Sequence, residues 1–217
     1  MKQTPLVLFF SLCAFAGEPR LIFTKSFPGS VPEYVSIGVD KTGELEYKES
    51  PTDDQPLKAK LADSEVSALF ALAEKLDFFK TSLESGLKVA NTGKKTFRYE
   101  PASGPATEST FNYSLLLPAQ QLLDRFEQLS STEQAYIKLD RTVHFDKLGV
   151  NDALAEIESL WLHKQLAAPA QFVPLLNRIA ARDSFMHLVR ERAARLKDQF
   201  TGTVPQTAGA AAEGKGQ

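Results

Sequence analysis

The stretch Lys94–Leu129, KKTFRYEPASGPATESTFNYSLLLPAQQLLDRFEQL, decides the fold that the sequence predicts. Phe97 and Tyr99 alternate with polar residues in its first part, and Phe111 and Tyr113 do so in its second part. Alternation with a period of two places all four aromatic side chains on one face of a half-buried sheet. We therefore expect two paired strands whose aromatic face is covered by another element.

The end of this stretch has the pattern of an amphipathic helix. Pro118 suits the first turn of a helix, because its missing N–H would have no partner there. The apolar stripe that follows has three- and four-residue spacing and consists of Leu122, Leu123, Phe126 and Leu129. Such a helix can cover the aromatic face. Ser130 and Glu133 then have the spacing of a capping box, so the pattern leaves open whether the helix restarts there.

The chain before this stretch predicts more of the same sheet. Tyr34–Asp40 and Glu44–Glu49 alternate around a turn and indicate a hairpin. Asp63 or Ser64 can cap a helix that ends near Phe79. The segment Leu87–Ala90 precedes Asn91-Thr92-Gly93, and this spacing predicts another strand, paired with the strand that starts at Lys94.

These patterns predict an α+β fold. We expect an antiparallel sheet of about five to seven short strands, packed on two helices and followed by a helical C-terminal region. The expected division is a signal peptide at residues 1–16, a sheet domain at 17–130, a helical region at 131–200 and a tail at 201–217. The tail is rich in Gly, Ala, Thr and Gln without an apolar period, which is typical of disorder.

The first sixteen residues have the pattern of a cleaved signal peptide. Lys2 precedes the apolar run Leu6–Leu12, and Ala14-Phe15-Ala16 forms a small-x-small cleavage site before Gly17. The run is shorter than the ~20 residues that a spanning helix needs. We expect export to the periplasm or the medium, with no stable membrane insertion after cleavage.

Composition and cysteine usage exclude several kinds of site from a mature chain. Cys13 is the only cysteine and lies within the expected signal peptide. Its removal would leave no disulfide, thiolate metal ligand or cysteine nucleophile. The net charge of −2 gives no overall attraction to nucleic acid. We find no cofactor or metal motif and expect a non-enzymatic protein.

One alternative is a hydrolase whose site assembles from distant residues around His144 and Asp146. Asp140 and His144 are four residues apart, so on a helix they share a face, as metal ligands or an acid–base pair would. His163 and His187 lie in other predicted helices and could join them only through tertiary structure. A histidine beside carboxylates is also typical of a solvated ionic face.

Residues Gln171–Leu196 resemble a single HEAT-type helical hairpin. Pro174 lies early in the first helix, and the second contains Val189-Arg190-Glu191-Arg192-Ala193-Ala194-Arg195-Leu196, which is similar to the valine-arginine, alanine, leucine pattern of that family. The resemblance implies a protein-binding scaffold. It departs from the family because solenoids need about three repeats and this chain has one. The N-terminal part is similar to exported bacterial α+β domains of uncharacterised function.

The predicted hairpin carries a set of basic residues in an otherwise acidic chain. This arginine set consists of Arg178, Arg182, Arg190, Arg192 and Arg195. It indicates either contact with an acidic partner or an anionic lipid surface, or simply the solvated side of two amphipathic helices. The leading hypothesis is therefore an exported, non-enzymatic protein that binds another envelope or secreted macromolecule through its helical C-terminal region.

Overall fold

The computed structural model describes residues 17–202. The expected signal peptide, and the expected tail beyond residue 202, lie outside the described residues. The strands are β1 (Arg20–Ser26), β2 (Tyr34–Asp40), β3 (Glu44–Lys48), β4 (Leu57–Lys60), β5 (Lys94–Glu100) and β6 (Thr107–Phe111). The helices are α1 (Asp63–Lys75), α2 (Leu117–Phe145), α3 (Val150–Leu162), α4 (Val173–Ala180) and α5 (His187–Phe200). The predicted α+β class is confirmed.

The strands form one antiparallel sheet with the order β4-β3-β2-β1-β5-β6. The predicted hairpin is confirmed, because β2 and β3 pair on either side of the turn that ends at Gly43. Strand β1 lies inside the sheet, where Phe23 is opposite both Ile37 of β2 and Phe97 of β5. This placement leaves both edges of β5 occupied, one by β1 and the other by β6.

Helix α2 covers the aromatic face of the sheet, as the sequence predicts. Phe97 and Phe111 are buried. The ring of Phe126 on α2 lies 5.2 Å from that of Phe23 and 5.9 Å from that of Phe97, measured between centroids. Burying an aromatic side chain of this size contributes about 1.5–3 kcal/mol, so this cluster stabilises the packing of the helix on the sheet.

The prediction that Tyr113 belongs to the same face is wrong. Strand β6 ends at Phe111, so the alternation stops two residues before the tyrosine, whose exposed fraction is 39%. Tyr99 keeps the predicted side and is half-buried, with its ring 4.3 Å from that of Phe78.

The predicted strand at Leu87–Ala90 is also wrong, and the segment is a loop. A strand here would have to pair with β5, whose two edges are already taken. The side chain of Asn112 provides the hydrogen bonds instead: its Nδ2 donates to the carbonyl of Ala90, at 3.0 Å, and its Oδ1 accepts from the N–H of Thr92, at 2.9 Å.

Helix α2 runs without interruption from Leu117 to Phe145, so the helix does not restart at Ser130. Ser130 and Glu133 are both buried inside the helix. Their side chains face other partners: Ser130 Oγ accepts from Gln134 Nε2 at 2.9 Å, and the Glu133 carboxyl accepts from Gln171 at 3.0 Å. Neither side chain is therefore free to cap a helix terminus.

The buried apolar side chains form two clusters that α2 connects. The sheet cluster includes Phe126 and Leu129 from α2, together with α1 and the inner face of the sheet. The helical cluster includes Leu139 and Val143 from α2, together with α3, α4 and α5. The change from one cluster to the other occurs between Leu129 and Ala135.

Between its residues in the sheet cluster and those in the helical cluster, α2 carries polar side chains that contact the segment linking α3 to α4. The N–H of Ala167 donates to Thr132 Oγ1 at 3.0 Å, and both groups are buried. The carboxyl of Glu133 is fully buried, and its Oε2 has no hydrogen-bond partner within residues 17–202. Burial raises the pKa of Glu133 to about 7, opposed by the hydrogen bond from Gln171.

Candidate interaction surface at the end of the helical region

The predicted helical hairpin exists and consists of α4 and α5. Its two helices pack through the buried residues Leu175, Leu176, Ile179, Val189, Ala193 and Leu196. Helix α3 packs beside α5, and one hairpin of this kind lies within residues 17–202. The hairpin therefore belongs to a small helical bundle in the part of the chain that the structure describes.

Three members of the arginine set form ion pairs within the bundle. Glu158 on α3 lies 3.3 Å from Arg192 Nε and 3.1 Å from Arg195 Nη2. Arg192 Nη1 also donates to Asn151 Oδ1 at 2.7 Å. Arg190 pairs with Asp183 in the turn between α4 and α5. The main role of these three guanidinium groups is to join α5 to α3 and to its own turn.

The other two members, Arg178 and Arg182, lie exposed at the end of α4 and make no ion pair within residues 17–202. Arg182 lies close to Phe185, whose N–H donates to the Arg182 carbonyl at 3.1 Å. Both arginines therefore lie near the α4–α5 turn, and they are the members of the set with charge available to a partner.

Helices α3 and α5 lie side by side and run in the same direction. Asn151, in the first turn of α3, contacts Arg192 in the first half of α5. Trp161, near the end of α3, packs its ring 5.0 Å from the ring of Phe200 at the end of α5. The start of α5 is therefore beside the turn that joins α2 to α3.

Four large apolar side chains are exposed at this end of the bundle, and we refer to them as the apolar tip. They are Phe145, Leu148, Met186 and Leu188, with exposed fractions of 86%, 79%, 57% and 61%. Leu188 is one helical turn before Arg192, so it lies on the face of α5 that meets α3 and projects towards the α2–α3 turn. Grouped exposure of large apolar residues is typical of an interaction site.

The histidines and carboxylates at this end contact groups that are close to them in sequence. His144 Nδ1 lies 3.5 Å from Asp140 Oδ1 and 2.8 Å from the Asp140 carbonyl, one turn back along α2. Asp146 Oδ1 instead accepts from the N–H of Gly149 at 3.2 Å and stabilises the α2–α3 turn. His187 is 3.4 Å from Glu191. Each of these side chains therefore contacts a group in its own helix or turn.

A hydrolase site around His144 would need a concavity on which polar groups converge. Five concavities with volumes of about 220 to 840 Å³ lie in the sheet half and along α2, and neither His144 nor Asp146 lines any of these five. Within residues 17–202, no three His, Cys, Asp or Glu side chains are grouped as metal ligands.

A scan against protein-family models finds no match to this chain, and a search of curated proteins finds none. In the described part of the chain, each helix is too short or too polar to cross a membrane. The surface itself is therefore the basis for any functional conclusion.

Sequence reasoning missed the apolar tip. Part of its signal was present, because Leu148 lies in the turn between α2 and α3, where polar residues are usual, and Phe145 is the last residue of α2. Leu188 has no such signal, since an apolar residue at the start of an amphipathic helix is expected to be buried. Its exposure depends on where α5 lies relative to α3 and to the α2–α3 turn, which the sequence does not show.

Proposed function

We propose that the protein is an exported, non-enzymatic protein that binds a partner protein of the envelope or the medium through the apolar tip. The observation that carries this proposal is the exposure of Phe145, Leu148, Met186 and Leu188 at one end of the helical bundle. Buried aromatic and aliphatic anchors supply most of the affinity of protein interfaces, so such a group is suited to an apolar pocket on a partner.

The charges beside the tip favour an acidic rim around that pocket. Arg178 and Arg182 are exposed and unpaired within residues 17–202, and Lys147 is exposed in the α2–α3 turn. Two nearby carboxylates have partners, since Asp183 pairs with Arg190 and Glu191 lies beside His187. Asp146 and Asp152 are exposed and make no ion pair within residues 17–202, so the three cations exceed the free carboxylates by one charge, and this excess complements acidic groups on a partner.

An anionic bilayer fits this end less well. Asp146 is exposed directly after Phe145, and Asp152 is exposed in the first turn of α3. Carboxylates at the contact would be repelled by anionic headgroups. A protein surface can avoid this repulsion by placing acidic groups only opposite the arginines.

The experiment compares capture by the full chain with capture by a double variant of the tip and by a control variant. The double variant Phe145→Ser/Leu188→Ser removes two anchors of the tip. The control is Leu162→Ser, because Leu162 is 69% exposed at the other end of α3. A protein captured from envelope extract is purified, and its affinity for each form is measured by calorimetry.

We expect the double variant to bind the partner on the order of 10–100-fold more weakly and the control to bind it normally. Replacing Arg182 with Gln should weaken binding less at high salt than at low salt, because an ionic contact is screened. Equal affinity of the double variant and the native chain would contradict the proposal. So would a result in which the tip variant binds the partner protein normally and loses binding only to anionic vesicles.

A further inference from the structure

A concavity of about 370 Å³ lies between the end of the sheet and the first turns of α2, and we name it the polar cleft. Its volume lies in the range of about 300–1,000 Å³ that is typical of small-molecule sites. The lining comes from β1, from the loop before β5, from the end of β6 with the loop that follows it, and from α2. Its polar members include Lys25, Asn112, Tyr113, Gln120, Asp124 and Glu127.

The polar cleft also has apolar walls. Phe111 is buried in the sheet cluster, and Leu123 is half-buried and packs against that cluster. The side chain of Tyr113 is exposed, in contrast to that of Phe111 two residues earlier. The cleft therefore combines apolar walls, which the core holds in place, with an aromatic ring that a ligand can reach.

Lys95 stabilises the wall of the cleft and has no proton left for a ligand. It is buried, and its Nζ donates to Thr92 Oγ1 at 2.8 Å and to the carbonyl of Asn112 at 2.9 Å. The carbonyls of Thr92 and Gly93 lie at 3.3 Å from the same atom. Because an ammonium group has three protons, these four oxygens use all of its donors. The lysine therefore joins the loop before β5 to the loop after β6.

The charges that line the polar cleft cancel. Lys25 and Lys95 contribute two positive charges, and Asp124 and Glu127 contribute two negative charges. Lys25 Nζ also pairs directly with Glu127 Oε1 at 3.0 Å. A ligand that carries a net charge of either sign therefore gains little overall attraction from the lining.

Three side chains of the cleft keep hydrogen-bonding capacity for a ligand. The carboxylate of Asp124 and the hydroxyl of Tyr113 make no hydrogen bond or ion pair within residues 17–202. Gln120 uses only Nε2, which donates to the carbonyl of Ser114 at 2.9 Å, so its Oε1 remains a free acceptor. A ligand in the cleft therefore meets a charged acceptor, an amide, and a hydroxyl that can donate or accept.

We infer that the polar cleft binds a neutral saccharide. Sugar hydroxyl groups can donate to the carboxylate of Asp124 and the amide oxygen of Gln120, and they can accept from the hydroxyl of Tyr113. The C–H groups on one face of a sugar ring can pack on the ring of Tyr113, whose body is apolar. Apolar contact combined with a few directional hydrogen bonds is what gives a small-molecule site its affinity and specificity.

Charged ligands fit the cleft less well than a neutral sugar. An anion would find both lysines of the lining already engaged, and it would lie near two carboxylates. A cation would be attracted to Asp124 and repelled by the same lysines. The neighbouring concavity is lined by one lysine and one carboxylate, Lys94 and Glu84, so it adds no preference for either sign.

The test is saturation-transfer NMR of the full chain with maltotriose, cellotriose and chitotriose, which are neutral sugars that differ in linkage and substituents. Calorimetry then gives the dissociation constant of each sugar that binds. Tyr113→Ala removes the ring, Tyr113→Phe keeps the ring without its hydroxyl, and Asp124→Asn removes the charge at nearly constant shape. The control is Asp54→Asn, because Asp54 is exposed in the loop before β4. Thermal unfolding of each variant verifies the fold.

We expect the native chain and the control to bind at least one of the three sugars equally well. Tyr113→Ala should weaken binding by about fivefold to tenfold, and Tyr113→Phe should weaken it less. Asp124→Asn should weaken binding by about tenfold, because hydrogen bonds to a charged acceptor are the stronger ones. The affinity of the native chain should change by less than about twofold between low and high salt, since screening acts only on charged ligands.

Three results would overturn the inference. The native chain could give no signal with any of the three sugars at about 10 mM. Tyr113→Ala and Asp124→Asn could both bind as the native chain does, which would place the sugar elsewhere. Glucose 6-phosphate or glucosamine could bind more tightly than every neutral sugar, which would assign the cleft to a charged ligand. Loss of partner binding through the apolar tip would leave the inference intact, since the tip and the polar cleft share no residue.

Discussion

Burial of Glu133 in the middle of α2 raises the pKa of its carboxyl group to about 7, from an ordinary value of 4.5. The folded chain therefore keeps this proton up to about neutral pH, whereas the unfolded chain releases it near 4.5. Between these two values the unfolded state binds fewer protons than the folded state, so the free energy of unfolding falls as pH rises. The fall ends above the folded pKa.

The variant Glu133→Gln should remove this part of the pH dependence. Glutamine keeps an oxygen that can accept from Gln171, and it cannot ionise. At pH 8 we expect the variant to be more stable than the native chain by on the order of 3 kcal/mol, and at pH 4 by much less. Urea unfolding at both pH values measures the difference. The control is Glu74→Gln, since Glu74 is exposed on α1; a similar gain in the control, or an equal gain at both pH values, would contradict the prediction.

At the scale of the element, the continuous path of α2 can be tested at Ser131, which is exposed beside Ser130. If a helix restarted with Ser130 as N-cap, Ser131 would be the first helical residue, where proline is favoured. Inside a continuous helix, proline removes a hydrogen bond and clashes with the preceding turn, at a cost of about 3 kcal/mol or more. We expect Ser131→Pro to lower the free energy of unfolding by that amount, as measured by urea titration.

Ser131→Ala is the matched control for this substitution. It should leave stability unchanged or raise it slightly, because alanine has the higher helix propensity and the lost bond from Ser131 Oγ to the Glu127 carbonyl is exposed. Tolerance of proline at this position would favour two helices in solution. A large loss in the alanine control would mean that the hydroxyl, rather than the backbone, is what the site requires.

The sequence predicted those strands in which apolar and polar residues alternate and those helices in which apolar residues form a stripe. The aromatic residues of β5 and the apolar stripe around Phe126 could be predicted because their spacing places them on the buried faces of a strand and a helix. The strand at Leu87–Ala90 failed because pattern does not reveal that β1 already occupies the edge of β5. The spacing of Ser130 and Glu133 left the path of α2 open, because a capping box and a pair of buried polar residues inside a helix can have the same sequence.

The interaction surfaces were harder to predict from the sequence, because they depend on how the helices are arranged. Sequence identified the arginine set, but the pairing of Arg192 and Arg195 with Glu158 depends on α3 lying beside α5. Exposure of Leu188 depends on the same arrangement. The spacing of apolar residues along an element is a local property, so the sequence predicts which residues share a face. Whether that face is buried depends on elements that are distant in sequence, so its accessibility is harder to predict.

For the whole molecule, two apolar clusters share one long helix, which joins the expected sheet domain at residues 17–130 to the expected helical region at 131–200. Helix α2 contributes buried residues to both clusters. Loss of either cluster would expose part of α2 and remove the contacts of Thr132 and Glu133 with the segment that follows α3. We therefore expect the described chain to unfold as one cooperative unit.

Trp161 allows this cooperativity to be measured, because it is the only tryptophan and packs in the helical cluster. Ile37 and Ile157 are both fully buried, one in each cluster, so Ile37→Val and Ile157→Val are matched deletions of one methylene. Each should cost about 0.5–1.5 kcal/mol. If unfolding is cooperative, both move the urea midpoint of Trp161 fluorescence by similar amounts. If Ile37→Val leaves that midpoint unchanged while lowering the midpoint of the strand signal in circular dichroism, the two halves unfold separately and α2 acts only as a tether.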